Sequence, residues 1–217
     1  MGESRMRGVI ARSDTAPELV GAISRFRAKL FVEKLGWRLR VDGDQERDQF
    51  DTPNTVYGAL LMGPDLVGVF RACRTDGPYL ASAIFPDAAQ LKPYPSRPDV
   101  WEISRFGTHA PAAHFQVSRA LYGLMFAFAA SRSATSLVAI ADLNHERFLK
   151  LIGIQTRRFG PPQAAGEDAH GRPIQVVAGE IPVREQSGPR FEQILDVANN
   201  LEINDETLVL GRAVISA

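Results

Sequence analysis

Three side chains that could do chemistry lie close together in the stretch 101–106, which reads WEISRF. Its aromatic and β-branched residues favour a strand, but a buried strand tolerates charged groups only when each finds a partner. The Glu102 carboxylate could act as a general base, and the Arg105 guanidinium could hold the carboxylate of a substrate. The same two residues could equally form a structural ion pair under a sheet.

The alternation of side chains along a strand separates these groups. With a period of two, Glu102 and Ser104 lie on one face, whereas Trp101, Ile103 and Arg105 lie on the other. Glu102 and Arg105 can therefore share a cleft only if a bulge, or the end of the strand, turns one of them.

The surrounding elements alternate between strands and helices. A strand at 7–12 and an amphipathic helix ending at Gly36 come first, and two strands at 55–62 and 66–73 precede the WEISRF stretch. An apolar helix at 115–132, an apolar strand at 137–141, a short helix at 144–152, a strand at 154–159, a strand at 173–183 and a helix at 190–201 follow. This order predicts one α/β domain over residues 1–217, with helices on both faces of the sheet.

Composition argues against several classes of protein. The chain has 217 residues, of which 45% are hydrophobic, and its 25 basic and 25 acidic residues cancel, so no basic field for nucleic acid is expected. A single cysteine, Cys73, excludes an internal disulfide, and the four histidines show no metal-ligand spacing. Because no apolar run resembles a signal peptide or a membrane span, we expect a cytoplasmic protein without a membrane span.

Five short blocks resemble, in order and spacing, the acyl-homoserine-lactone synthases, which are bacterial enzymes that make quorum-sensing autoinducers. Each block alone could recur by chance, but together they cover about residues 25–162. The blocks are RAKLFVEKLGW (27–37), ERDQFD (46–51), GVFR (68–71) with TDGPY (75–79), WEISRF (101–106), and a weaker block of ER (146–147), Gly153 and RFGP (158–161).

The resemblance implies a fold and a reaction. The fold is like that of the acetyltransferase (GNAT) superfamily, a three-layer sandwich around a mixed, twisted sheet with a V-shaped cleft. The reaction transfers an acyl chain from acyl carrier protein, or from acyl-CoA, to the amine of S-adenosylmethionine. The product then closes to N-acyl-L-homoserine lactone and releases methylthioadenosine. S-adenosylmethionine is thus a substrate, and no metal or bound cofactor is implied.

The resemblance also implies roles for residues of this sequence. Glu102 would be the base that deprotonates the attacking amine, Ser104 would hydrogen-bond that base or the substrate, and Arg105 would hold the substrate carboxylate. The residues that would bind S-adenosylmethionine are Phe31, Trp37, Asp48, Arg105 and Phe106. The residues that would form a structural ion-pair frame are Arg27, Glu46, Asp51 and Arg71.

Two further sets concern the acyl donor. An apolar pocket for the acyl chain would be lined by Phe115, Leu121, Met125, Leu137, Ile140 and Phe148, all of which could instead be core residues. A basic patch for the acidic carrier protein would comprise Arg147, Lys150, Arg157 and Arg158. Members that prefer 3-oxo chains commonly have a threonine near residues 138–141, where this chain has VAIA, so we expect an unsubstituted chain.

Two alternatives stay open. The first is another N-acyltransferase of the same fold that uses acyl-CoA, although residues 107–114 lack the glycine-rich turn that holds pyrophosphate in such enzymes. The second is a non-catalytic ligand-binding module of this fold, although the charged residues of the frame are all present.

Overall fold

The computed structural model describes residues 6–109, 114–167 and 171–208. Its strands are β1 Met6–Ala11, β2 Val41–Asp42, β3 Gln45–Glu46, β4 Val56–Met62, β5 Asp65–Arg74, β6 Val100–Thr108, β7 Ser136–Asp142, β8 Arg157–Arg158, β9 Gln163–Glu167, β10 Pro173–Pro182 and β11 Glu202–Asp205. Its helices are α1 Pro17–Arg27, α2 Leu80–Ile84, α3 His114–Ser131, α4 Leu143–Leu151 and α5 Pro189–Asn199, with a π-helix at Ala28–Lys34 and 3-10 turns at Pro86–Ala88 and Val183–Glu185.

A mixed sheet runs through the molecule in the order β11-β1-β4-β5-β6-β7-β10-β8, and β9 pairs with β10. Helix α3, the most apolar helix, packs its residues with those of α5 and the sheet in the largest hydrophobic cluster. Helix α1 covers β1, β4 and β5 in a different cluster, whose members alternate with the α3-facing residues along the strands. Helices therefore lie on both faces, and the predicted α/β class is confirmed.

A cleft opens where β6 and β7 separate. These two parallel strands pair only through Val100–Glu102 and Ser136–Val138. Beyond these residues β6 instead pairs with β5, and β7 pairs along its whole length with β10. Each strand keeps its pairing with its other neighbour, but the two strands no longer pair with each other. They therefore diverge and form the V-shaped cleft that the resemblance implied.

Three local features differ from the sequence-based expectations. The expected strand at 154–159 is reduced to Arg157–Arg158. Strand β11, which pairs in parallel with β1, was not expected, because its EIND sequence is too short and polar to show a strand pattern. The first helix does not end at a simple cap but continues as the π-helix, and π-helical turns often occur at functional sites.

Candidate functional site

A bulge in β6 turns Arg105 onto the same side of the sheet as Ser104. Between the pairs Arg71↔Ser104 and Val69↔Gly107, β6 has one residue more than β5. Arg105 lies in this bulge. Its φ is 51°, a left-handed conformation that non-glycine residues rarely adopt. The bulge is the irregularity that strand alternation required for Glu102 and Arg105 to share one cleft.

Arg105 joins a frame of six buried or half-buried charged side chains. Its Nη2 donates to Glu46 Oε1 at 2.9 Å and to Asp48 Oδ2 at 2.8 Å. Arg27, on α1, donates through Nε to Glu46 Oε2 at 2.5 Å and through Nη1 to Asp51 Oδ1 at 2.7 Å. Three carboxylates thus tie α1 to β6: Glu46 on β3, and Asp48 and Asp51 in the loop after β3.

Arg71, on β5, completes this frame. Its Nε donates to Ser104 Oγ at 3.0 Å, and its Nη1 contacts Asp48 Oδ1 at 2.5 Å and Asp51 Oδ2 at 3.3 Å. Its Nη2 is buried and has no hydrogen-bond partner within the described residues. A buried guanidinium with an unused N–H group is a donor available to an anionic ligand.

The frame balances its charges inside the protein. Three arginines face three carboxylates, and hydrogen bonding between them outweighs burial in holding the pKa of Asp51 below its ordinary value. Burial opposes the charged form of Arg27 in the same way, yet the hydrogen bonds and charges of Asp51 and Glu46 raise its pKa. Arg27 and Asp51 therefore both stay ionised at neutral pH.

Glu102 lies beside the frame but is held by backbone. Its Oε2 accepts from the Leu80 N–H at 3.0 Å and its Oε1 from the Ala81 N–H at 2.6 Å, at the start of α2. Burial raises the pKa of Glu102, although these two N–H groups and the charge of Arg71 oppose that shift. A carboxylate with a raised pKa, fixed in one orientation, is suited to accept a proton.

Phe31 and Trp37 flank the other side of the frame. Their rings stack with centroids 4.9 Å apart, and the Trp37 N–H donates to the Phe31 carbonyl, which closes the end of the π-helix. Gly107 of β6 lies beneath, where a Cβ atom would come within 2.5 Å of Leu30 and 3.1 Å of Phe31. Because Trp37 is 39% exposed while Phe31 is buried, the indole forms an open aromatic wall on a fixed base.

Phe106 lies on the opposite face of the sheet from this wall. It stacks on Tyr122 of α3, with centroids 4.4 Å apart, and also approaches Phe70. The bulge at Arg105 explains this position, since it brings Arg105 to the frame side and leaves Phe106 with the α3 cluster. The structure therefore does not bring Phe106 together with Phe31, Trp37 and Asp48.

The candidate residues for the acyl pocket do not all share one wall. Leu121, Met125 and Leu137 belong to the cluster under α3, and Phe148 packs against it. Ile140 points to the other face of β7, where it packs with the cluster around Phe50, as strand alternation requires for a residue three positions from Leu137. Phe115 is 48% exposed and lies under the Arg119 guanidinium, so neither Phe115 nor Ile140 lies with the other four candidates.

The basic residues expected to dock a carrier protein lie together around α4. All four are exposed, but three have a carboxylate nearby: Arg158 donates to both oxygens of Glu146, and Arg157 pairs with Glu185. Lys150 lies 3.8 Å from Glu146, and Arg147 bonds Asn144. The patch therefore keeps more positive than negative charge, although less than its sequence indicated.

Sequence reasoning missed three contributions to the site. The Leu80 and Ala81 amides leave no side-chain signal, and Tyr57, whose hydroxyl donates to Asp51 at 2.9 Å, looks like an ordinary strand residue. His145 has no metal-ligand spacing in the sequence, yet it hydrogen-bonds Tyr122 of the α3 cluster. Within the described residues, no group of three or more His, Cys, Asp or Glu side chains could hold a metal, and no helix there could cross a membrane.

The sequence and the fold correspond to those of known proteins. Residues 15–190 match the model of the autoinducer synthase family. An acyl-homoserine-lactone synthase of Acinetobacter nosocomialis is 34% identical over 154 residues, which are 66% of this chain and 84% of that protein. The crystal structure of TofI in a ternary complex with an inhibitor and MTA is 29% identical, with a TM-score of 0.69, and covers 88% of this chain and 96% of its own.

A further structure agrees in fold. BjaI, a CoA-dependent acyl-homoserine lactone synthase solved with SAM and isopentyl-CoA, has a TM-score of 0.78 at 22% identity and covers 92% of this chain and 93% of its own. The fold and buried charged site define an acyltransferase of the acetyltransferase-like class. This chain belongs to the autoinducer synthase family, and its activity is that of an acyl-homoserine-lactone synthase that makes a quorum-sensing signal.

Proposed function

We propose that this chain acylates S-adenosylmethionine at its α-amine and then closes the acylated product to a lactone. In the first step the amine nitrogen attacks the thioester carbonyl, the C–S bond of the donor breaks, and an amide and a free thiol form. In the second step a carboxylate oxygen of the product attacks the carbon next to the sulfonium. The C–S bond there breaks, and methylthioadenosine leaves with the electron pair.

Glu102 is our proposed base for the first step. An ammonium group must lose a proton before it can attack, and Glu102 is the carboxylate of this site whose pKa burial raises. Both of its oxygens already accept a hydrogen bond from a backbone N–H group. The proton of the ammonium group therefore transfers to a remaining lone pair of Glu102, directly or through one water. Ser104, whose Oγ accepts from Arg71, has a hydroxyl proton left to orient the substrate.

The carboxylate of S-adenosylmethionine needs a cationic partner, and we assign this role to Arg71 together with Arg105. Arg105 already uses Nε and Nη2 on Glu46 and Asp48. Arg71 Nη2 is buried without a partner within the described residues, which supports a direct contact with an anionic group. Arg71 then acts both in the frame and on the substrate, whereas Arg105 acts chiefly by fixing Asp48.

The remainder of S-adenosylmethionine would bind beside Asp48, Phe31 and Trp37. Asp48 is the most exposed carboxylate of the frame, so it can attract the ammonium or sulfonium charge while it stays paired with Arg71 and Arg105. The exposed Trp37 ring, held on Phe31, can stack on adenine and face the sulfonium. TofI, which is 29% identical, was solved with MTA, and this supports an adenosine site in the fold.

The acyl donor would enter the cleft between β6 and β7 from the α4 side. Leu121, Met125, Leu137 and Phe148 supply an apolar wall there. The exposed cations around α4 suit an acidic carrier protein, and a thioester on coenzyme A presents phosphates to the same charges. We favour acyl carrier protein because Arg147 and Lys150 point outward on one exposed helix, where a protein can reach both.

The buried frame beside Glu102, at the point where β6 and β7 diverge, is the observation that carries the proposal. The test is a mass-spectrometric assay of the purified chain with S-adenosylmethionine and a panel of acyl carrier proteins and acyl-CoAs. We expect acyl-homoserine lactone and methylthioadenosine in equal amounts, and loss of both with Glu102→Ala. Acyl transfer without methylthioadenosine would indicate another N-acyltransferase. Binding without turnover would indicate a non-catalytic module.

A further inference from the structure

Four rings meet where β6 and β7 diverge. Phe106 comes from β6, Tyr122 from α3, and His145 and Phe148 from α4, which directly follows β7. Phe106 stacks on Tyr122 at 4.4 Å, and His145 lies 6.1 Å from Phe106 and 6.3 Å from Phe148. The rings lie where the two strands diverge, on the side of the sheet that α3 covers. If an acyl chain binds on that side of the cleft, these rings form its wall.

This wall contains one polar contact. The Tyr122 hydroxyl and His145 Nε2 are 2.7 Å apart, and Tyr122 is buried. Burial lowers the pKa of His145, so its ring is neutral at pH 7 and carries a single N–H. Whichever group donates in this hydrogen bond, the pair keeps one donor and one acceptor that it does not use.

No described residue uses this remaining capacity. Tyr122 and the His145 ring hydrogen-bond each other, and the His145 backbone N–H is occupied by Asp142. A purely apolar acyl chain would leave the donor and acceptor facing hydrocarbon, which is unfavourable. A chain with a hydroxyl could use both, and a chain with a keto group could use the donor.

We propose that Tyr122 and His145 select an acyl chain that carries a keto or hydroxyl oxygen, and that they do so from the helical wall of the cleft. This inference rests on the proposed function. It also revises the expectation of an unsubstituted chain, which considered only the alanines of β7. Ala139 and Ala141 offer no hydrogen bond, but the opposite wall does.

The test is a competition assay. The wild-type chain receives S-adenosylmethionine and an equimolar mixture of unsubstituted, 3-oxo and 3-hydroxy thioesters of equal length, repeated at several lengths, and mass spectrometry measures the product ratio. We expect an oxygenated product to exceed the unsubstituted one by about tenfold, the effect of one or two buried hydrogen bonds. Tyr122→Phe, which keeps the ring on Phe106, should bring this ratio close to one.

Tyr94→Phe is the matched control, because it removes a hydroxyl that bonds the Phe85 carbonyl in a different cluster. It should leave the product ratio unchanged. A wild-type ratio at or below one overturns the inference even if Tyr122→Phe does not fold, and so does a ratio that Tyr122→Phe leaves intact. Lactone and methylthioadenosine formed in those cases would show that the proposed function survives. Their absence with every donor would refute the proposed function itself.

Discussion

Arg105 donates to both oxygens of Glu46, with Nε 3.2 Å from each and Nη2 2.9 Å from Oε1, and neither side chain is more than slightly exposed. Arg27 reaches the same carboxylate at 2.5 Å. One carboxylate on β3 therefore bridges two arginines, one from α1 and one from the bulge of β6. This places Glu46 at the centre of the frame that shapes the site.

Replacing Glu46 should destabilise the whole fold. Glu46→Gln removes the negative charge shared by two buried guanidinium groups, so the free energy of unfolding should fall by about 3–5 kcal/mol. Urea unfolding followed by circular dichroism measures this change. Glu33→Gln, at an exposed position of the π-helix, should stay within about 0.5 kcal/mol of wild type. A loss below about 1 kcal/mol for Glu46→Gln would contradict the frame.

The activity should be lost in acid at a pH set by Glu102. Burial raises the pKa of Glu102 above the ordinary value of about 4.3, despite the opposing Ala81 and Leu80 N–H groups. A base works only when ionised, so kcat/KM should fall as the pH drops through this raised pKa. Glu102→Gln should lower kcat/KM by about 10²–10⁴-fold and abolish this acid limb.

Ser104→Ala serves as the control for this profile, since it should change the rate while keeping the acid limb. An acid limb at the ordinary glutamate value would show that another group controls the rate. A fully active Glu102→Gln variant would remove Glu102 from the reaction.

Trp37→Ala should weaken S-adenosylmethionine binding with little effect on folding. The indole is partly exposed, and base stacking on an aromatic side chain contributes about 1–3 kcal/mol, so we expect the Kd to rise about tenfold or more. Isothermal titration calorimetry with S-adenosylmethionine and with methylthioadenosine measures both affinities. Leu35→Ala, at a similarly exposed residue nearby, should change neither. Equal affinities in Trp37→Ala and wild type would place adenosine elsewhere.

Reversing charge on α4 should impair the carrier-protein donor. Arg147→Glu combined with Lys150→Glu should raise KM for an acyl carrier protein about tenfold at low salt and leave kcat similar, since both positions are exposed. The difference should shrink as salt screens the charges. Steady-state kinetics at two salt concentrations measures this, with Arg25→Glu on α1 as the control. An unchanged KM would place the docking surface on another face.

The sequence predicted which charged residues need partners better than it predicted the face of the sheet on which each side chain lies. Arg71 lies inside a strand and had to find acidic partners, and the loop at 46–51 provides them. Arg105, by contrast, lies on the wrong face by alternation, and only its positive φ brings it to Glu46. A backbone conformation of this kind leaves no trace in a single sequence, because arginine has no preference for it.

The apolar candidates separate for a related reason. Leu137 and Ile140 are both apolar residues of one strand, but they lie on opposite faces of the sheet. His145 shows a further limit of local patterns: it has no metal-ligand spacing, yet it hydrogen-bonds Tyr122, which lies 23 positions away. Contacts between distant elements depend on helix placement, which local patterns do not encode.

The balanced charges of the frame have a consequence for how the protein assembles. Without the segment 46–51, Arg27, Arg71 and Arg105 would bring three positive charges together on α1, β5 and β6 with nothing to offset them. The charges of the frame are therefore balanced only when α1, β5, β6 and that segment are all in place. Displacing the segment would leave buried arginines without their carboxylates, so the frame resists partial opening of the site.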